Sequence, residues 1–297
     1  MLPFLRLMRN GLLAAKARLR GGASKLLPFL LLLPALAFIL VLYVYPLFRS
    51  IWGSFSIGAQ SLSLANYSKA WALYKKDIIF TIIVAILGTI LSIVFGMILA
   101  CYIRLSISRT SHFVNFISRL VIFFPYVIVG QMMRSFLAPH GLLNVILANL
   151  GIVNLDNPIQ FFNIRGLLLG FLWKEAPFVS FLTLSTLQVI DNSYLEAARS
   201  VGAKTRHIIL YILIPMVKPA VAMAAVLVFC TIISTFTLPY MLVTESPTMV
   251  TVDIAHRVTY FRDYGVANAL GVCLYVLAAP MAVYYLRRTV REEIYGY

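Results

Sequence analysis

Charged residues are scarce in this chain of 297 residues. They account for 12% of the sequence, about half of the roughly 25% that is usual in soluble domains. Hydrophobic residues account for 61%. So little charge excludes an ordinary soluble globular domain, and it indicates a protein whose surface faces lipid.

Cysteine is rare, and the sequence patterns of common catalytic and metal sites are missing. Cys101, Cys230 and Cys273 each lie inside an apolar run, and none has a partner at CxxC spacing. This favours small buried apolar residues over a disulfide or a metal site. No GxxxxGK[ST], HExxH or GxSxG pattern occurs. We therefore expect no catalytic residue and no metal in this chain, and any ATP must be hydrolysed by another subunit.

Long apolar runs dominate what is present. Residues 26–48, 78–103, 219–244 and 264–286 contain no Asp, Glu, Lys or Arg. Each run exceeds the roughly 20 residues that a helix needs to cross the hydrocarbon layer. Linkers of low complexity and internal repeats are lacking. The sequence therefore predicts one membrane domain in which these four runs are transmembrane helices.

Two weaker spans carry ionisable side chains. Residues 113–133 contain Arg119 near their start, where it can extend to the membrane interface. Residues 166–190 contain the adjacent pair Lys174 and Glu175, which lipid would accept only at high cost. That second helix must face protein or water on one side. Together the runs predict an all-α integral membrane protein of six transmembrane helices.

The distribution of positive charge predicts the orientation. With the N-terminus inside, the inside segments hold 16 Lys and Arg residues and the outside segments hold 8, so both termini are predicted to be cytoplasmic. Residues 1–25 form a basic segment expected to lie on the anionic inner leaflet, and residues 26–297 form the membrane domain. A secretory signal cleaved near Ala35 is the alternative interpretation of the N-terminus.

The inside loop 191–219, which reads DNSYLEAARSVGAKTRHIILYILIPMVKP, predicts a helix, a glycine break and a second helix. Ser193 and Glu196 have the spacing of a capping box. Gly202 permits either a left-handed stop or the close approach of another backbone. Pro215 and Pro219 are expected to break the second helix before the next span. Such a loop suits docking into a partner's cleft, although a solvated loop whose glutamate only caps a helix is the alternative.

This loop resembles the signature of binding-protein-dependent ABC importer permeases: E-A-A, three residues, G, nine residues, I-x-L-P. The matching positions are Glu196, Ala197, Ala198, Gly202, Ile212 and Pro215, with Ile214 where the family usually has leucine. The resemblance implies the type I, maltose-permease-like fold. It also implies that the loop forms a coupling helix, which sits in a groove of a cytoplasmic ATPase subunit.

The same resemblance implies the partners and the location of the chain. A second permease subunit, two cytoplasmic ATPase subunits that use ATP and magnesium, and an extracytoplasmic solute-binding protein would complete the importer. This chain would bind no cofactor and no nucleic acid itself. It would lie in the lipid bilayer of the bacterial inner membrane as a multi-pass protein.

Weaker motifs, such as Tyr45-Pro46 and Trp173-Lys174, resemble the sugar-importer branch, whose familiar members are the maltose and glycerol-phosphate permeases. The sequence departs from that branch at Glu245-Ser246-Pro247, where Gly-Gly-Pro is common, and at Val201, where aspartate is usual. The expected solute is a sugar, an oligosaccharide or a related polar organic molecule. A polyamine-type permease and an ion-coupled secondary transporter remain the alternatives.

The solute path should be lined by polar side chains that are costly in lipid. The candidates are Gln131, Lys174, Glu175, Thr183, Thr186, Thr235 and Tyr240. Hydroxyl groups in membrane helices can equally bond to their own helix backbone or to a neighbouring helix. In an ion-coupled transporter, Lys174 and Glu175 would instead form a proton or ion relay.

Overall fold

The computed structural model of the protein describes residues 31–57, 61–106 and 108–295. The predicted basic segment 1–25 lies outside these described residues. Within them the chain is helical, apart from loops and one short hairpin. The hairpin pairs strand β1 (Ser56–Ile57) with strand β2 (Ser61–Leu62) in antiparallel register, with Ser56 opposite Leu62.

The helices are numbered in chain order. They are α1 (Leu31–Phe55), α2 (Ala65–Leu105), α3 (Arg109–Ile122), α4 (Tyr126–Leu137), α5 (Leu142–Asn149), α6 (Ile164–Val189), α7 (Asn192–Ser200), α8 (Thr205–Ser234), α9 (Thr237–Leu242), α10 (Val250–Thr259) and α11 (Tyr264–Tyr295).

Five of these helices are long and apolar enough to cross a membrane: α1, α2, α6, α8 and the Tyr264–Tyr285 part of α11. A sixth span is broken. Helix α3 and the following segment Tyr126–Asn149 pass the same test together, but they meet at an angle of 114°. Pro125 lies between α3 and α4 with φ −60° and ψ 146°. Helix α3 cannot continue through it, because a proline ring disfavours helical geometry in the residue before it and offers no amide to the turn. The six spans predicted from the sequence are therefore present, and the third is bent.

The boundaries predicted for the span at 219–244 are wrong. Helix α8 begins at Thr205 and continues through Pro215 and Pro219 to Ser234. A π-helical segment, Ile209–Leu213, lies directly before Pro215, and the amide of Ile214 bonds to the carbonyl of Ile209. This wider turn changes the hydrogen-bond register just where proline cannot donate. The prolines therefore adjust the helix and do not end it.

Helices α2, α6 and α8 pack against one another at the centre, and α4 and α9 complete the core. Side chains from all five are fully buried there: Val84, Val129, Phe171, Val228, Ile232 and Leu238. Helices α2 and α6 approach each other closely at Gly96. A Cβ added at Gly96 would lie 2.6 Å from the Cβ of Val179 and 2.8 Å from the carbonyl oxygen of Ala176. Only glycine lets these two backbones come so near, as is typical of membrane helices.

Helix α1 belongs, up to Gly53, to a separate compact unit. Its side chains from Leu31 to Tyr43 are all exposed, and nearly all of them are apolar. A helix that is apolar on every side needs lipid or another protein around it.

Candidate functional site

The segment 191–219, called the coupling segment below, folds as helix α7, a tight turn and the start of α8. The turn is a Schellman motif. The amide of Ala203 donates to the carbonyl of Ala198 at 3.0 Å, and the amide of Gly202 donates to the carbonyl of Arg199 at 2.9 Å. Gly202 has a φ of +80°, and a Cβ there would meet nothing within 4 Å. The motif glycine is therefore required by the left-handed backbone and not by crowding within the chain.

The N-terminal cap of α7 differs from the prediction. Asp191, and not Ser193, is the capping residue, because its carboxylate accepts the amide of Ser193 at 2.8 Å. The backbone amide of Ser193, followed by its hydroxyl, lowers the pKa of Asp191. The predicted capping box between Ser193 and Glu196 is thus wrong, since the helix begins two residues earlier than that pattern requires.

The two faces of α7 differ in burial. Leu195 is 4% exposed and Ala198 is half-buried, and both pack on a cluster formed by the ends of α2, α6 and α8. Glu196 and Ala197 lie on the exposed side. Within the described residues Glu196 makes no hydrogen bond and no ion pair. The first two motif residues are therefore available to another molecule, whereas the third anchors the helix.

Exposed apolar groups surround these motif residues. Tyr194 is 57% exposed and Val201 is 84% exposed. Further along the motif, Ile212 packs against the cluster below α7, whereas Pro215 is exposed. The coupling segment thus has an inner side fixed to the helix bundle and an outer side of small and apolar groups suited to a partner's groove.

Arg104, in the last turn of α2, reaches across to this segment. Its Nε donates to the carbonyl of Leu187 at 2.9 Å. Its Nη2 donates to the carbonyl of Ile190 at 3.0 Å and to Oδ1 of Asn192 at 2.7 Å. Sequence reasoning counted Arg104 only as an inside positive charge. No local pattern could have revealed these contacts, because the partners lie more than 80 positions along the chain.

Lys174 lies at the bend of the broken span. Its Nζ donates to the carbonyls of Val121, Ile122 and Phe124 at 3.2, 2.8 and 2.9 Å. The carbonyls of Val121 and Ile122 belong to the last turn of α3 and lack the usual amide one turn further along the helix. The carbonyl of Phe124 lies in the linker to α4, and that of Val121 also accepts the amide of Phe124 at 3.1 Å. The side chain is 9% exposed. Lys174 therefore caps α3 from within the bundle.

Glu175, 4% exposed, faces a different partner from its neighbour. The hydroxyl of Tyr126, the first residue of α4, donates a hydrogen bond to its carboxylate. Lys174 and Glu175 thus bond to the two sides of one bend. Nothing in the sequence indicates that Tyr126 contacts this pair.

Three other path candidates are accessible. Gln131 on α4 and Tyr240 on α9 are exposed, and Thr235 at the end of α8 is half-buried. Tyr240 stacks on Phe236 with ring centroids 5.0 Å apart, and it meets His256 edge-on at 6.4 Å.

The two threonines of α6 lie further along that helix, toward the coupling segment. Thr183 is fully buried, and its hydroxyl donates to the carbonyl of Val179 at 2.7 Å. Thr186 is half-buried. Among the described residues, the seven path candidates therefore differ in burial, from fully enclosed by packing to exposed. A cavity of about 830 Å³ lies elsewhere, between α2 and α8, and is lined mainly by apolar residues such as Met97, Ile98 and Val221.

The profile of the family described as "Binding-protein-dependent transport system inner membrane component" matches residues 92–292. This match covers more than half of the chain and includes the whole coupling segment. The chain belongs to this family. It is accordingly the membrane-spanning permease subunit of an ATP-driven, binding-protein-dependent importer, and it is not itself an enzyme.

Curated relatives match nearly end to end. The sulfoquinovosyl glycerol transport system permease protein SmoG of Agrobacterium fabrum is 27% identical over 288 residues, covering 89% of this chain and 90% of the relative. The trehalose/maltose transport system permease protein MalF of Thermococcus litoralis is 26% identical over 286 residues, covering 88% and 92%.

Solved structures share the fold. A permease chain from a bacterial ABC transporter involved in the import of the acidic polysaccharide alginate superposes with a TM-score of 0.78. The identity is 21%, and the match covers 92% of this chain and 99% of that one. The permease therefore has the type I importer fold, as the resemblance implied, and it is a multi-pass protein of the inner membrane.

Proposed function

We propose that this permease imports a sugar, an oligosaccharide or a related polar organic solute delivered by an extracytoplasmic binding protein. The support comes from relatives that match almost their full length and whose names specify trehalose/maltose and sulfoquinovosyl glycerol. The importer would comprise this chain, a second permease and two ATPase subunits, which bind ATP and magnesium.

The coupling role rests on one observation. The outer side of α7 presents Glu196 without a partner in the described part of the chain, beside the exposed Tyr194 and Val201. An exposed apolar surface around an unpaired charge is typical of a protein interface. We assign this surface, together with the turn at Gly202, to the groove of an ATPase subunit.

The solute path would run beside the accessible candidates Gln131, Thr186, Thr235 and Tyr240. One permease would supply only part of this path, and the second permease would supply the rest. The ring of Tyr240 offers an apolar face and a hydroxyl, a combination that suits a sugar ring. Lys174, Glu175 and Thr183 would act indirectly, by holding the helices that carry the path.

The orientation is part of the proposal. The bias of 16 inside against 8 outside cations favours cytoplasmic termini, a basic segment 1–25 on the inner leaflet, and the coupling segment 191–219 on the cytoplasmic side. Accessibility labelling of Lys204 from either side of the membrane tests it. Labelling from the exterior would contradict both the topology and the coupling role.

The contacts of the candidate residues favour neither a polyamine permease nor an ion-coupled transporter. A polyamine would require several carboxylates along the path, yet Glu175 is the one acidic candidate and its carboxylate already accepts the Tyr126 hydroxyl. An ion relay through Lys174 would require a partner that exchanges protons. Lys174 instead bonds to three backbone carbonyls, which cannot take up a proton at ordinary pH.

Purification and uptake measurements together test the function. The tagged permease should bring down a nucleotide-binding subunit. Uptake of labelled trehalose, maltose or sulfoquinovosyl glycerol should require ATP, resist an uncoupler and exceed uptake of spermidine. Glu196→Lys and Gly202→Asp should abolish uptake while both variants still insert into the membrane. Normal transport in both variants, or uptake that an uncoupler stops although ATP remains, would rule out the proposal.

A further inference from the structure

We infer that Arg104 is the positioning residue that makes helix α2, helix α6 and the coupling helix α7 move as one body. This inference rests on the proposed coupling role of α7. It adds a specific connection, made by one side chain, through which movement of α7 reaches two transmembrane helices.

The contacts of Arg104 converge on the junction between α6 and α7. Helix α6 ends at Val189, and Ile190 is extended with φ −67° and ψ 121°. The carbonyls of Leu187 and Ile190 therefore lack helical partners, and the guanidinium satisfies both of them. Asn192 is the first residue of α7, so its contact of 2.7 Å extends the same guanidinium to the coupling helix.

The junction between α6 and α7 is a hinge unless a side chain bridges the two helices. Two residues, Ile190 and Asp191, connect α6 to α7, and a short extended connector of this kind lets neighbouring helices swing. The apolar cluster beneath α7, which includes Leu187 and Leu195, resists separation but allows sliding, because apolar contact is not directional. Three hydrogen bonds from one planar guanidinium fix an angle as well as a distance.

The position of Arg104 explains why this link would transmit movement. Arg104 lies in the last turn of α2, the helix that packs most closely on α6 around Gly96. A displacement of α7 would therefore reach both α6 and α2 through Arg104, because the connector between α6 and α7 is a hinge. Without Arg104, α7 could tilt while both transmembrane helices stayed in place.

A simple capping role is the competing explanation. In that case Arg104 would only satisfy the last carbonyls of α6, and the contact with Asn192 would have no consequence for coupling. The two explanations differ in what they predict for Asn192, which contributes no carbonyl to the cap. They also differ for Arg104→Lys, because an ammonium group cannot present donors to three separate acceptors in one plane.

Distance measurements by electron paramagnetic resonance test the inference in the assembled importer. Spin labels on Ser106→Cys and Ser200→Cys mark the ends of α2 and α7, with the native cysteines Cys101, Cys230 and Cys273 replaced by alanine. The probes are ATP alone and ATP with vanadate. We expect one narrow distance in the wild type that is the same with and without nucleotide. Arg104→Ala and Arg104→Lys should broaden the distribution by about twofold.

Variants of Asn192 and Arg109 distinguish the positioning role of Arg104 from a simple capping role. Asn192→Ala should broaden the distribution although both α6 carbonyls keep their partner, and it should add nothing further in the Arg104→Ala background. Arg109→Ala, which removes a nearby exposed cation with no hydrogen bond among the described residues, should behave as wild type. If the importer that carries Arg104→Ala does not assemble, the distance distribution of Asn192→Ala decides between the two roles.

A wild-type distribution in Arg104→Ala or in Asn192→Ala, within a complex that responds to ATP, would overturn the inference. Failure of the proposed function would look different. In that case no ATPase subunit would copurify with the wild-type permease, or Glu196→Lys would transport normally whatever residue stands at position 104.

Discussion

The backbone amide of Thr248 donates a hydrogen bond of 2.8 Å to the carboxylate of Asp77. Two residues later, the amide of Val250 donates to the hydroxyl of Thr81 at 2.9 Å. Helix α2 thereby holds the loop that precedes α10, at the end of α2 remote from the coupling segment. Asp253, in the first turn of α10, is 7% exposed, and one of its carboxylate oxygens has no partner among the described residues.

This buried acid predicts a pH dependence of stability. Burial, and then the nearby charge of Asp77, raise the pKa of Asp253 to about 7, although Arg257 opposes the shift. An unfolded aspartate has a pKa of about 4, so folding favours the protonated form. Stability should therefore be highest at low pH and should fall as pH rises toward 7, by about 1.4 kcal/mol for each unit of pKa shift.

Thermal unfolding in detergent between pH 5 and pH 8 measures this dependence. Asp253→Asn should remove most of it, because an amide does not titrate. Asp156→Asn, which changes an exposed carboxylate in the loop between α5 and α6, should keep the wild-type dependence. An unchanged slope in Asp253→Asn would mean that another group titrates.

Leu195 and Tyr194 are adjacent but lie on opposite faces of α7, so their substitution should affect stability and ATPase binding separately. Leu195→Ala removes a buried side chain and should lower the free energy of unfolding by about 2–5 kcal/mol, visible as a lower melting temperature. Tyr194→Ala changes a side chain that is 57% exposed, so stability should stay within about 0.5 kcal/mol of the wild type. Copurified ATPase should nevertheless fall in Tyr194→Ala. Full retention of the ATPase there would place the interface on another surface.

Substitutions of Gly202 can distinguish the effect of backbone strain from the effect of contact with a partner. Asparagine tolerates a positive φ, whereas a β-branched residue in the left-handed region costs about 1–2 kcal/mol. A Cβ at this position meets nothing within 4 Å in the chain. Gly202→Asn should therefore keep a near-normal melting temperature, and Gly202→Val should lower it. If both variants also lose ATPase binding equally, the partner must approach the glycine too closely for any side chain.

The sequence was sufficient for the features that depend on local composition. Apolar runs predicted the spans, and the charged pair Lys174 and Glu175 correctly indicated a helix with a protein-facing side. A left-handed stop was one of the two predictions for Gly202, the glycine between two helical patterns, and it is the one observed. Each of these depends on neighbours within a few residues, or on the length of hydrocarbon to be crossed.

The wrong predictions and the residues missed in the sequence share a physical cause. Pro215 was expected to end a helix because the π-helical turn that accommodates it has no sequence signature. Ser193 was predicted as the cap of α7 in place of Asp191, the residue observed there, because two good capping residues stand two positions apart. The contacts of Arg104 and Tyr126 and the burial of Asp253 arise only through tertiary packing, and a single sequence does not contain those distances.

A structural role of Lys174 can be distinguished from a role in transport by substitution. Lys174→Met keeps the length of the side chain but leaves the carbonyls of Val121, Ile122 and Phe124 without their buried donor. Removing such a donor should cost about 2–4 kcal/mol, seen as a lower melting temperature and less folded protein in the membrane. Lys218→Met is the matched control, because Lys218 is exposed and has no ion pair within the described residues. If Lys174→Met melted like the wild type yet changed which solutes are taken up, Lys174 would belong to the solute path, since a helix cap has no means of recognising a solute.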